Sequence, residues 1–414
     1  MVWRGAAKVT VGAYIQVPFC GQKCTYCNFA TGVFPDSIYA SYVDAVCREI
    51  EMRAGYLPAT DSGTPGANAA TYANHLGGVV IDTVYVGGGT PSLLDARDLG
   101  RLLETLKANF LCEFREVTLE ADPETISGEN STEWREAGFD RVSLGVQSFA
   151  DAELLATGRR HRRAEVFSAV ENLRRAGFSN ISMDLIAGLP CQTEESWRQS
   201  LRELLAIAPE HVSVYLLEAD EGSTLGREML SGGVRFNAHR VPTDDEMAGF
   251  YEYACEALDG ARYEHYEISN WARRTGDKGN DLRSHHNLKY WKRESYIGFG
   301  AGAHSFDGAV RQSNTESVTE YLAGMQQGNL PVKESEVVGT QRALDEELFL
   351  GLRQLAGIDF ARIEKAYSVS LRERISRLAA GGFIEMEGTR ARLAPAKLTL
   401  ANEVFVELMG QAVS

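Results

Sequence analysis

From residue 14 to about residue 217, short runs of β-branched and aromatic residues alternate with longer stretches whose apolar positions recur near a 3.6 period. That alternation predicts parallel strands joined by helical crossovers, the pattern of an α/β fold. Six strands are expected, at residues 13–17, 83–86, 116–120, 141–145, 180–186 and 211–217. Helices are expected between them, including 38–56, 98–110, 163–176 and 194–207. Six such units make an incomplete (β/α) barrel or an open sheet.

The stretch 57–78 is rich in Gly, Ala, Thr and Pro and has no period, so it reads as a surface insertion. After the sixth strand a helix at 244–258 and a strand at 263–268 fit a barrel extension. From about residue 334 the character changes: helices at 341–355, 360–367 and 370–380 precede a hairpin at 381–393, a winged-helix-like order. The expected division is a core of residues 1–240, an extension of 241–330 and a smaller, mainly helical unit of 331–414.

Composition narrows the functional classes. Over 414 residues the formal net charge is −15, which gives no general attraction to nucleic acid or anionic lipid. The basic run 159–163 is local. No stretch approaches the roughly 20 apolar residues that span a bilayer, and no signal-peptide apolar region opens the chain, so the reading is a cytoplasmic protein.

Three of the seven cysteines fall within eight residues, in YIQVPFCGQKCTYCNF (14–29), while Cys47, Cys112, Cys191 and Cys255 are scattered. Clustering of this kind argues for metal ligation by Cys20, Cys24 and Cys27, with the others as buried thiols. Thiolates suit an iron–sulfur cluster, and three of them around a [4Fe-4S] cube leave one iron open. A structural zinc site is the alternative; it needs a fourth ligand, for which His75 or His161 is available.

Further polar residues stand where barrel strands should end, the place where ligands bind in such folds. GGGTPS (87–92) offers glycines that admit close backbone approach. Glu120 closes strand three, Gln147 follows strand four, and Asp184 lies in strand five. Carboxylate and amide groups there can hold ribose hydroxyls. One of Arg159, Arg160, Arg162 and Arg163 could clamp a carboxylate with a guanidinium fork.

The cysteine motif on strand one resembles that of the radical S-adenosylmethionine superfamily, and the resemblance covers nearly the whole chain. More narrowly the sequence is similar to the group holding HemN, a coproporphyrinogen III dehydrogenase, and HemW, its haem-chaperone relative. The resemblance implies a partial (β/α)6 barrel, a [4Fe-4S] cluster on Cys20, Cys24 and Cys27, and S-adenosylmethionine held by Tyr14, Tyr26, Gly88, Gly89, Thr90, Glu120, Gln147, Arg159 and Asp184. It selects Arg159 from the basic run.

HemN-type enzymes carry a further cysteine two residues after the third ligand, where this chain has Phe29. HHNLKYW (285–291) matches the HNxxYW phrase of the HemW group and points to His286 as a haem ligand. GFGAGAHSF (298–306) adds His304, and YEISNWA (266–272) is also family-like. Gln16 departs from the histidine frequent at that position. The expectation is a haem chaperone, with a porphyrinogen-oxidising enzyme as second reading. Implied partners are haem, a haem-acceptor protein of respiratory type and an electron donor such as flavodoxin or ferredoxin, with a homodimer open and no nucleic acid.

Overall fold

The computed structural model describes residues 9–56, 79–275 and 281–409, so the expected insertion at 57–78 lies outside them. The six predicted strands are all present: β1 (Val9–Val17), β2 (Val79–Gly88), β3 (Leu111–Ala121), β4 (Arg141–Gln147), β5 (Ile181–Ala187) and β6 (His211–Leu216). They lie side by side in chain order and are parallel throughout. Helices Tyr39–Tyr56, Ala96–Asn109, Arg163–Arg175 and Glu194–Ile207 occupy four of the expected crossovers.

Period-two alternation sorts the strand residues. Ala13, Ile15 and Val17 on β1, Val84 and Val86 on β2, Val142, Leu144 and Val146 on β4, and Met183 and Leu185 on β5 are all buried in the main apolar core. The helices cover this face; Tyr39–Tyr56 contributes Tyr42, Val43, Val46 and Ile50, an i, i+3, i+4 stripe. The other face carries Tyr14, Thr83, Tyr85, Glu116, Glu120, Arg141, Ser143, Ser182, Asp184, His211 and Ser213, and it is polar. Such side chains persist inside only because they bond one another. Tyr85 donates to Glu120 at 2.7 Å, Ser143 to Asp184 at 3.2 Å, and Ser182 meets His211 at 2.8 Å.

The sequence reading stopped at six strands and one extension strand, and the sheet has twelve. Beyond β6 come β8 (Asn270–Arg273) and β7 (Tyr263–Glu267), both antiparallel. On the other flank β9 (Tyr296–Phe299) pairs parallel with β1, followed by β10 (His304–Phe306), β11 (Val310–Asn314) and β12 (Val332–Val337). The extension strand expected at 263–268 is β7; the others are three to six residues long, too short for periodicity to reveal them. Among the described residues the two edge strands, β12 and β7, do not pair with each other, which leaves the sheet open there.

One buried carboxylate fastens the second flank. Glu49 accepts from Arg53 (2.8 Å), Asn314 (2.9 Å), the Gly300 amide (2.8 Å) and Tyr321 (2.7 Å), joining helix Tyr39–Tyr56 to the β9–β10 turn. A buried charge is tolerated when its lone pairs are filled in this way.

The C-terminal unit runs helix Thr340–Arg353, β13 (Ile358–Asp359), helices Phe360–Tyr367 and Arg372–Ala380, then the hairpin β14 (Ile384–Glu387) and β15 (Arg390–Leu393). Its sheet order, β13-β15-β14, completes the winged-helix-like arrangement expected from sequence. A last helix, Ala401–Met409, packs Phe405 edge-on to Phe349 at 4.8 Å.

Candidate functional site

Where β1 ends, Phe19 is fully buried, stacked on Tyr39 at 4.3 Å and edge-on to Tyr42 and Phe34. That anchor fixes the start of the cysteine loop. Two hydrogen bonds clasp its ends, Cys20 N–H to Gly32 O and Gly32 N–H to Pro18 O, each 2.9 Å. Thr25 holds its middle, donating its amide to Thr157 O and accepting from the Leu225 amide. Cys20, Cys24 and Cys27 are thus presented half-buried on the wall of one cavity of about 540 Å³.

The end of β2 runs against that loop. Gly89 N–H donates to Val17 O at 2.8 Å and Thr90 N–H to Phe19 O at 2.6 Å. A Cβ on Gly89 would overlap the Phe19 carbonyl and stand 3.0 Å from Cys20 Sγ; one on Gly87 would meet the Glu120 carboxyl at 2.9 Å. Gly88 has φ +114°, a region in which a side chain is strained. Gly88 and Gly89 therefore let a backbone edge, rather than side chains, face the cavity beside the thiols.

Carboxylates and one guanidinium complete the cavity. Glu120 accepts from Tyr85 and from the Gly88 amide at 2.9 Å, yet burial dominates and pushes its carboxyl up to about 7. Burial likewise raises Asp184, against the hydroxyls of Ser213 and Ser143. Arg159 donates to Asp122, to Gly145 O at 2.6 Å and to Cys24 Sγ at 3.7 Å. Burial pushes the Cys20 and Cys24 thiols up, and the Arg159 charge offsets part of this at Cys24. Arg159 Nε is buried and has no partner among the described residues, a donor still to be satisfied. Gln147, at the end of β4, has φ +63° and also lines the cavity; such strain in a non-glycine residue concentrates at functional sites.

The cavity brings together Cys20, Cys24, Cys27, Tyr26, Gly88, Gly89, Thr90, Glu120, Gln147, Arg159 and Asp184. It does not include Tyr14 or His286, which sit with the barrel floor. Tyr14 donates to Gln16 at 2.6 Å, and its ring lies 6.1 Å from Tyr85 and 6.4 Å from His286. His286 is 1% exposed. Its Nδ1 meets Thr83 at 3.0 Å, its Nε2 meets Tyr290 at 2.9 Å, and its amide donates to Glu116 at 3.0 Å. Burial lowers its pKa to about 3, so the ring is neutral with both nitrogens engaged. His286, expected from the resemblance as a haem ligand, thus has both ring nitrogens bonded to side chains in this arrangement.

His304 is exposed on β10. His161, the alternative zinc ligand, is fully buried with Nε2 on Val146 O at 3.0 Å; His75 lies outside the described residues. Among the described residues no group of three His, Cys, Asp or Glu side chains could hold a single metal ion. Sequence reasoning missed Asp122, which ties Arg159 and, through a 2.9 Å bond from Thr90 Oγ1, the glycine turn. Its place two residues after Glu120 was the available signal.

Residues 14–204 match the Radical SAM superfamily and residues 341–396 the HemN C-terminal domain. The Heme chaperone HemW of Bacillus subtilis is 31% identical over 96% of this chain and 99% of its own length. The Mycobacterium tuberculosis Heme chaperone HemW is 32% identical over 96% of this chain and 95% of its own. This chain belongs to the HemW-type branch of the radical SAM superfamily. HemN of Escherichia coli, a coproporphyrinogen III oxidase, has the same fold, with a TM-score of 0.78 over 98% of this chain and 91% of that one at 20% identity. Among the described residues no helix is long and apolar enough to cross a membrane.

Proposed function

We propose that the protein is a cytoplasmic haem chaperone, binding haem and passing it to an acceptor protein, with a [4Fe-4S] cluster and exchangeable S-adenosylmethionine in the barrel. One observation carries the reading: thiols, glycine turn and Arg159 share one cavity wall, in a chain aligned almost end to end with proteins named haem chaperones. When bound, cluster and nucleoside supply one-electron chemistry that no side chain offers.

The chain's own residues do the holding. Cys20, Cys24 and Cys27 would ligate three irons. Gly88, Gly89 and Thr90 offer backbone and hydroxyl partners to an amino acid head. Arg159 supplies a guanidinium for its carboxylate, oriented by Asp122 and Gly145 O. Glu120 and Asp184 accept from ribose hydroxyls, Gln147 both donates and accepts, and the Tyr26 ring covers the base. Tyr14 and His286 position this layer from below. The Arg159 Nε, without a partner among the described residues, fits such a ligand, as does the lining of thiols, carboxylates and glycine backbone around one cavity.

In this reading residues 1–240 hold the cofactors, 241–330 brace the barrel floor through His286, and 331–414 close one side of the cavity. An electron donor such as flavodoxin or ferredoxin would reach the cluster from the rim, where Phe29 is 66% exposed. A phenyl ring there cannot act as a thiol, which favours the chaperone over the porphyrinogen-oxidising enzyme.

The test is anaerobic. The reconstituted protein is titrated with haem and, separately, incubated with coproporphyrinogen III, S-adenosylmethionine and a reductant. Stoichiometric haem retention without protoporphyrinogen is the expected result; protoporphyrinogen formation would overturn it.

A further inference from the structure

The cavity has a second wall that the cysteine loop does not touch. The C-terminal unit builds it, with Arg353, Leu398, Asn402 and Phe405, together with Ile268 and Ser269 of the β7–β8 turn. Five carboxylates, Glu120, Asp122, Asp184, Glu218 and Asp220, also line the cavity. Against them stand three cationic side chains, Lys23, Arg159 and Arg353.

Two of the three cations stand on the cluster side. Lys23 donates to the Phe29 and Thr31 carbonyls at 3.1 Å each, and Arg159 is bound to Asp122 beside Cys24. Arg353 is different. Its Nε and Nη2 both meet Glu267 Oε1, at 2.8 and 2.7 Å, while Glu267 Oε2 takes the Ser269 amide and Asn270 Nδ2. Glu267 is wholly buried, and the Ile268 amide donates to Arg353 O at 3.0 Å, so the guanidinium is fixed in place. Among the described residues its Nη1 has no hydrogen-bond partner, and the side chain is 27% exposed. A guanidinium held by one edge presents its remaining donors to an incoming carboxylate.

We infer that this wall is a carboxylate subsite, in which Arg353 receives a propionate of a tetrapyrrole whose macrocycle lies against Ile186, Leu216, Leu217, Leu398 and Phe405. The inference rests on the haem-binding reading above and adds which end of the cavity takes the acid groups. What Arg353 offers a carboxylate is its remaining N–H donors, held in a fixed orientation by the ion pair with Glu267. The apolar residues of the cavity lining suit a flat macrocycle; the glycine wall suits an amino acid head.

Haem and its dimethyl ester separate the possibilities. Both are titrated by Soret absorbance into the full, cluster-reconstituted chain and into Arg353→Gln and Arg353→Lys, with S-adenosylmethionine retention measured alongside. We expect the unaltered chain to bind haem about tenfold or more tightly than the ester, the worth of one charge-assisted bond. Arg353→Gln loses that preference while binding the ester and S-adenosylmethionine unchanged, and Arg353→Lys restores part of it. Equal binding of haem and ester by the unaltered chain would overturn the subsite, and so would a parallel loss of both ligands in Arg353→Gln. The ester comparison needs no mutation, so it stands even if Glu267 without its arginine costs the fold. A chain that binds neither haem nor ester overturns the haem-binding reading itself.

Discussion

The two ends of the barrel interior are built from the same kinds of residue and differ in what is left over. At the floor, His286, Thr83, Tyr290 and Glu116 use one another up: both imidazole nitrogens are engaged, and Glu116 takes the His285 and His286 amides at 2.8 and 3.0 Å. At the mouth, three thiols face a cavity, Arg159 Nε lacks a partner among the described residues and Glu120 is held neutral up to about pH 7. Saturated polar groups brace a fold, and unsaturated ones await a ligand. A histidine in a family phrase can therefore belong to the first kind.

The comparison breaks most sharply at the thiols. Any one of Cys20→Ala, Cys24→Ala or Cys27→Ala should reduce iron and acid-labile sulfide to near background while far-ultraviolet circular dichroism is kept; a variant that keeps its full cluster would dissolve the distinction. At the floor the expectation inverts. His286→Ala should cost about 3 kcal/mol in denaturant unfolding, since it opens a hole and strands Thr83 and Tyr290, yet leave haem affinity intact below its melting temperature. Haem loss without destabilisation would instead restore a ligand role.

The two ends should also titrate in opposite directions. The folded state lifts Glu120 from 4.5 to about 7, so its penalty is absent below pH 4.5, grows as pH rises to about 7 and is constant above. Glu120→Gln should remove that decline from the melting temperature of the cofactor-free protein. Folding depresses His286 from 6.5 to about 3, so its contribution is complete above pH 6.5 and is lost as pH falls toward 3. His286→Gln should flatten that acid limb. The smallest effect is expected at the rim, where Phe29→Ser should shift stability by less than about 0.5 kcal/mol because the ring is mostly in water.

What could be read in advance follows from how local each signal is. Strands β1 to β6 were legible because each buries an apolar face under a helix, which leaves a pattern within a single segment. The cysteines were legible because a loop of eight residues holds all three. The pairing of Arg159 with Asp122 spans 37 positions, and no short-range pattern encodes it. The engagement of His286 was half visible: Tyr290 follows at i+4 on helix His285–Trp291, the spacing that puts two side chains on one face. Thr83, its other partner, lies 203 positions away. The flank β9–β12 escaped because its strands are brief and its anchor, Glu49, reads in sequence as one more helix-surface charge.

Among the described residues no strand neighbours the outer row of backbone amides and carbonyls along β12. Lys333, Glu334, Ser335 and Glu336 along it all face solvent, and Val337 at its end is 73% exposed. Pairing a second strand here would bury the charges of Lys333, Glu334 and Glu336, and that dehydration cost, in place of closure, guards the edge against growing into a fibre.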